Sequence, residues 1–328
     1  MTLLRNNLAA LALALSVTLS LTAGHAQTPE MKPTFKEAAA LYSDENYSAA
    51  YEIAAPLATS GDVNAQIMLG EMYEFGKGRK VDMKNAMQWY EMAAAQNNTP
   101  AMFRLAMLNL NGAKGVAPNP ARAREWFSKA AQAGHLQASN ELGLLYYQGK
   151  GVETDPFIAA KHIRKAADAG FAQAQYNLGL LYVNGHGVEQ NITTASQWFQ
   201  KAAVQGLPEA ALDYGLMVYG GDAGLRRDYE IGAQWLMVAA NAGNANAQLY
   251  IARILAAGRG MKKDRVEAAK FYILAKQEDK ADADLDVMMS NLSSPQMGDA
   301  QRRARIFAED LKKKRLNPVT SGKTDQNG

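Results

Sequence analysis

The sequence predicts an all-α solenoid built from stacked helical hairpins. Three observations predict it: a repeat of about 36 residues, a glycine at one fixed phase of every repeat, and small residues recurring on the helix faces. Aligned on Trp89, Trp126, His162, Trp198, Trp235 and Phe271, the segments follow at steps of 37, 36, 36, 37 and 36 residues. One hairpin of that length cannot bury its own apolar face, so neighbouring units must stack to make a core.

The second helix of each unit carries the anchor. Upstream of it, in one column, stand Asp82, Asn119, Asp155, Asn191, Asp228 and Asp264. These short side chains accept from the free N–H groups of a helix start. Pro120 and Pro156 follow two of them, where proline's fixed φ suits the first helical position. Alanine fills the facing columns, from Ala86 to Ala268 before the anchor and from Ala93 to Ala275 after it, broken by Gly232. Asn97, Gly134, Gly170, Gly206, Gly243 and Asp279 then stop the helix, since they tolerate the left-handed conformation there.

The first helix is expected to open at Ala65, Ala101, Ala138, Ala174, Ala210 and Ala247. Leu69, Leu105, Leu142, Leu178, Tyr214 and Ile251 recur four residues on, giving one buried stripe. The next column holds Gly70, Gly143, Gly179 and Gly215, with Ala106 and Ala252 in the other two units. Glycine inside a helix costs about 1 kcal/mol against alanine, so this column implies tight contact with the facing helix. The two helices meet at a turn containing Gly78, Gly115, Gly151, Gly187, Gly224 or Gly260. The two 37-residue steps carry their extra residue in this turn, at 112–115 and 221–224.

The ends depart from the pattern. Residues 33–61 form a partial N-terminal unit, with Pro56 expected to kink its second helix. Residues 64–279 hold six units, bounded as 64–98, 100–135, 137–171, 173–207, 209–244 and 246–279. Two capping helices are expected in 282–316, at about Asp282–Leu292 and Met297–Leu316, joined by Ser293, Ser294 and Pro295. Residues 317–328 read as a disordered tail.

The run from Ala174 to Tyr182 (AQYNLGLLY), the turn from Gly185 to Val188 (GHGV) and the helix from Ala195 to Gly206 resemble the Sel1-like repeat family. That family is a branch of the tetratricopeptide-like solenoids, and the resemblance implies a right-handed superhelical α/α solenoid. It covers Ala65 to Asp279, and more loosely Phe35 to Gly61. His162 and Phe271 depart from it in the tryptophan column, as do Asn109, Val218 and Leu255 in the tyrosine column. The implied function is an adaptor that binds other proteins and helps assemble or regulate complexes. Exported bacterial members resemble regulators of envelope signalling. A cysteine-rich subgroup has been linked to beta-lactam hydrolysis, which makes an envelope hydrolase acting on peptidoglycan or beta-lactams the alternative. This chain contains no cysteine and lacks that subgroup's pairs.

Composition narrows the function further. Across 328 residues, 35 Lys and Arg against 32 Asp and Glu leave a formal charge of +3, which excludes a protein built mainly to coat nucleic acid. Arg5, the apolar run Leu8 to Leu21 and the small residues Gly24 and Ala26 have the layout of a signal peptide over residues 1–26. The run is shorter than the ~20 residues that span a bilayer, and no later stretch is apolar enough to do so. The mature protein is therefore expected in a periplasm or outside the cell.

No catalytic pattern is present: Gly-x-Ser-x-Gly, Ser-x-x-Lys and the phosphate-binding Gly-x-x-x-x-Gly-Lys are all missing. Asp282, Asp284 and Asp286 alternate like a calcium loop, but Val287 and Ser293 stand where that loop needs Gly and Glu. His135, His162 and His186 fall in different units without metal-ligand spacing. No cofactor, metal or catalytic residue is expected. The basic stretch with Arg302, Arg303, Arg305 and Lys312 to Arg315 offers at most a weak contact with an anionic surface. By analogy with the tetratricopeptide register, the first helices line the concave face. The residues expected to meet a protein partner there are Phe103, Met107, Asn140, Leu144, Tyr147, Tyr176, Leu180, Leu212, Tyr219 and Arg253.

Overall fold

The structure, a computed structural model, describes residues 33–222 and 224–316. The expected signal peptide, 1–26, and the expected disordered tail, 317–328, lie outside the described residues. Among the described residues there are sixteen helices, and the only extended pairing is an isolated bridge between Ala113 and Val116. The partial unit is α1 (Phe35–Ser43) and α2 (Tyr47–Thr59). The six pairs that follow are α3 (Val63–Phe75) with α4 (Met83–Ala95), α5 (Thr99–Asn111) with α6 (Pro120–Gln132), and α7 (Leu136–Gln148) with α8 (Pro156–Asp168). Then come α9 (Ala172–Asn184) with α10 (Ile192–Val204), α11 (Pro208–Gly220) with α12 (Tyr229–Asn241), and α13 (Ala245–Ala257) with α14 (Arg265–Lys276). The chain closes with α15 (Ala283–Ser290) and α16 (Ser294–Leu316).

The helix ends follow local chemistry. Asp82, Asn119, Asp155, Asn191, Asp228 and Asp264 each accept from a first-turn N–H of their helix. Asn97 and Asp279 have positive φ, as do the four glycines in their column. The first helices open two residues before the alanine column. Asp62, Asn98 and Asn244 sit just outside and accept from the N–H of Ala65, Ala101 and Ala247, so alanine is the third helical residue and not the first. His135 does the same through Nδ1 for Ala138. The helix α2 runs unbroken through Pro56. At the other end Ser294 and Pro295 belong to α16, not to a linker, because proline is pre-organised for a helix's first turn.

From α1 to α14 each helix packs on its neighbours in the chain, α16 packs back on α14, and the buried residues form successive clusters along the rod instead of one centre. The tryptophan column marks the phase of the repeat, but the deepest side chains lie one residue later. Tyr90, Phe127, Ile163, Phe199, Leu236 and Tyr272 are all buried, whereas Trp89, Trp126 and Trp235 are only half-buried. Burying one such side chain is worth about 1.5–3 kcal/mol. The mid-helix glycines make room for it: a Cβ on Gly179 would stand 2.5 Å from Cε1 of Phe199, and one on Gly70 2.5 Å from Cε1 of Tyr90.

A second constraint sits in the turns. Gly187 has φ +69, and a Cβ there would stand 1.9 Å from the carbonyl oxygen of Pro156, at the start of α8. The inserted turns differ, since a Cβ on Gly115 would meet nothing within 4 Å. Units are also joined by buried glutamines. Gln66, Gln175 and Gln248 donate to the carbonyls of Ala58, Ala167 and Ala240 in the last turns of the preceding helices, each of which also accepts a backbone N–H from Gly61, Gly170 or Gly243. Among the described residues no buried side-chain polar atom lacks a hydrogen-bond partner.

Gly179→Ala should therefore destabilise the protein by about 1–3 kcal/mol although alanine is the better helix former. Gly298→Ala, in α16 with nothing within 4 Å, should be neutral or stabilising by up to about 1 kcal/mol. Urea midpoints of the two variants check this, and an equal shift for both would remove the packing explanation. Gly187→Ala should cost more than Gly115→Ala, because only the first adds a steric clash to the unfavourable φ.

Candidate functional site

The first helices α3, α5, α7, α9, α11 and α13 share one side of the rod, where side chains reach from unit to unit. Asn177 donates to Asn140 at 2.8 Å, Tyr176 donates to Asp213 at 3.0 Å, and the Tyr147 hydroxyl lies 2.9 Å from Nδ1 of His186. Arg104 is held by Glu74, and Glu74 also accepts from the Tyr90 hydroxyl at 2.9 Å.

The expected binding residues fall into three groups. Phe103, Met107, Leu144, Tyr176, Leu180 and Tyr219 are half-buried, and Tyr147 is 36% exposed. Phe103 stacks on His135 at 4.8 Å, Tyr176 leans on Phe199 at 5.4 Å, and Tyr219 meets Tyr229 edge-on at 4.9 Å. Arg253 is exposed but engaged, with Nε donating to Asp282 at 2.6 Å. Asn140 and Leu212 do not belong to the open face. Asn140 is 0% exposed and Leu212 only 9%, although they share a register column with the half-buried Phe103 and Tyr176.

The open stripe keeps Leu144 and Leu180 of the expected residues and adds a polar column one residue after Asn140, Tyr176 and Leu212. On α9 it runs Gln173, Asn177, Leu180 and Asn184, a spacing of one helix face. On α7 it runs Gln137, Glu141, Leu144 and Gln148, and on α11 Glu209, Asp213 and Leu216. Glu141, Asn177 and Asp213 are thus residues that the tetratricopeptide analogy missed. Their signal was present as one column that is polar in four successive units, Arg104 included. The face is an aliphatic row bordered by amides and carboxylates, not a continuous apolar groove. A cavity of about 110 Å³ opens between α7 and α9, lined by Leu144, Tyr147, Asn177 and Leu180 among others. A second, about 250 Å³, lies between α3 and α5 beside Ile67, Glu71, Phe75 and Arg104. A further cleft, about 500 Å³, is on the second-helix side around Trp126 and Lys129.

Burial raises the carboxyl of Glu141 above the ordinary range, against the pull of the Asn140 amide. Burial also raises Asp213, opposed by the Tyr176 hydroxyl and reinforced by nearby Glu209. Asp282 goes the other way: burial works to raise it, but the Leu285 N–H and the Arg253 guanidinium hold it below its ordinary value.

Among the described residues no group of three His, Cys, Asp or Glu could hold a metal ion. His162 is half-buried and stacks on Tyr146 at 6.0 Å. Asp282 caps α15 by accepting from Leu285, and Asp286 pairs with Lys276 at 2.9 Å, so neither serves a calcium loop. On α16, Arg303 is tied to Glu267 and Asp299, which engages part of that helix's positive charge internally.

The Sel1 repeat profile matches residues 63–98, 99–135, 136–171, 172–207, 208–244 and 245–279, each beginning where a first helix begins. The chain belongs to the Sel1 repeat family. A protective antigen of uropathogenic Escherichia coli displaying an SLR fold superposes with a TM-score of 0.71 at 26% identity, over 90% of this chain and 65% of the antigen. A Sel1 repeat protein of Oxalobacter formigenes gives a TM-score of 0.71 at 25% identity, over 79% of this chain and 77% of that one. Chitin synthase regulatory factor 1 of Schizosaccharomyces pombe is 32% identical over 119 residues, 34% of this chain and 26% of that protein. An uncharacterized protein of Neisseria meningitidis is 39% identical over 93 residues, 28% of this chain and 19% of its own length. The chain thus spans about a quarter or less of the curated relatives it matches. No described helix of this Sel1 repeat protein is long and apolar enough to cross a membrane.

The two shifted carboxyls predict opposite pH effects. The folded-state value of Asp213 lies above its unfolded value of about 3.9, so the folded protein binds the proton first. Its contribution to stability is present at acid pH and lost as pH rises through that window, and Asp213→Asn should remove this decline. Asp282 is depressed, so its stabilisation is present above about pH 4 and lost as pH falls. Asp282→Asn should weaken the protein at neutral pH and match it in acid. Urea midpoints across pH decide both, and parallel profiles for wild type and variants would refute the assignment.

Proposed function

We propose that this protein is an exported scaffold that binds a protein partner along its first-helix face and works in envelope assembly or in regulating envelope signalling. One observation carries the reading: successive first helices leave aliphatic and aromatic side chains half-buried in register, with two cavities between them. Half-covered apolar surface of this kind gains free energy when a partner covers it. Tyrosine at such positions offers large, stiff contact area at low entropic cost. Membership in the Sel1 repeat family, whose members generally mediate protein–protein interactions, supports the scaffold role. A relative in Schizosaccharomyces pombe is named a chitin synthase regulatory factor, which is consistent with it. Export rests on the sequence pattern of residues 1–26.

Tyr147→Ala combined with Tyr176→Ala should weaken capture of a specific protein from envelope extract by about tenfold, with circular dichroism unchanged. Capture undiminished by the double substitution would move the binding site off this face.

A further inference from the structure

Resting on the binding reading above, we propose that the first-helix face receives an extended, cationic protein segment whose aliphatic side chains sit on the row Leu144, Leu180 and Leu216 and whose Lys or Arg side chains meet Glu141 and Asp213. The row is half-buried in each of three successive units and opens into the cavity of about 110 Å³ between α7 and α9. That volume is enough to take an aliphatic side chain. Asn177 and Asn184 line the same cavity, where amides can bond a backbone that lies across them.

Charge complementarity selects the occupant. The first helices α3 to α13 contain two cations, Arg104 and Arg253, and each is already paired, with Glu74 and with Asp282. Among the described residues no ion pair reaches Glu141, Glu209 or Asp213. The hydrogen bonds to Glu141 and Asp213 come from neutral groups, the Asn140 amide at 3.3 Å and the Tyr176 hydroxyl at 3.0 Å. Both carboxylates are half-buried, so a cation brought to them is poorly screened. The second helices differ in sign: Lys129, Lys165 and Lys201 recur there at steps of 36 residues. A cationic segment is thus attracted to one side of the rod and repelled by the other. Side-chain bonds from Asn177 to Asn140 and from Tyr176 to Asp213 bring successive first helices within side-chain reach, and an extended chain rises about 3.3 Å per residue, so a segment of a few residues spans from one unit to the next.

The test uses three fluorescein-labelled peptides of roughly twelve residues, built as Lys-Leu-Ser, Gln-Leu-Ser and Glu-Leu-Ser repeats, with the full chain and fluorescence anisotropy. The lysine peptide should bind best, and its affinity should fall with added salt. Glu141→Gln with Asp213→Asn should weaken it by about tenfold, and Glu141→Lys with Asp213→Lys should transfer the preference to the glutamate peptide. Equal binding of all three peptides, abolished by the Tyr147 and Tyr176 substitutions, would overturn the charge selection and leave the binding face standing. Lysine-peptide binding that ignores both sets of substitutions, or no binding at millimolar peptide, would overturn this inference. The extract capture described above decides the binding face separately.

Discussion

The structure depends on how closely the two helices of a unit approach. That distance is set where the mid-helix small residue meets the buried side chain after the anchor: Gly70 with Tyr90, Gly143 with Ile163, Gly179 with Phe199. A single Cβ would enter van der Waals space already filled by the ring or branch. Gly215 obeys the same geometry from another direction, since a Cβ there would stand 3.0 Å from the backbone nitrogen of Leu236. The glycine contact is made in four of the six units, and Ala106 and Ala252, the next smallest residue, hold the same position in the other two, so each unit keeps a small residue where its helices meet.

With the spacing fixed, the polar accounting closes along the rod. A helix end leaves carbonyls unpaired, and a solenoid of short helices has many ends. Gln66, Gln175 and Gln248 add a second donor, beside a backbone N–H, to last-turn carbonyls of the preceding helix from inside the interface between units. Gln96 and Gln205 extend the network, each donating to a glycine carbonyl of the preceding unit and to the next glutamine. These bonds cost little because both partners are buried together and satisfied. What remains outward on the first helices is then free to carry recognition chemistry.

Much of the fold was legible in the sequence because its determinants are local. An Asp or Asn that caps a helix, a glycine that takes positive φ and a proline in a first turn act within a few residues of themselves. Ser294 and Pro295 were misplaced into a linker because proline reads equally as a break and as a start. The site was less legible. Asn140 and Leu212 share a column with Phe103 and Tyr176, yet the first pair is buried and the second half-exposed. Such a difference depends on the rotation of each helix against its neighbours, and a one-residue error in that rotation turns a side chain through about 100°.

The sequence by itself determined the period, the second-helix caps, the glycine turns and the family, because capping and backbone conformation are short-range and repeat with the chain. Only the tertiary structure decided why Gly187 is needed for space while Gly115 is needed for φ alone, since that difference lies in Pro156 of the preceding unit. Only it showed that Arg104 and Arg253 are neutralised while Glu141 and Asp213 are not. Ion pairing is settled by distances across units about 30 residues apart, and no local pattern encodes them.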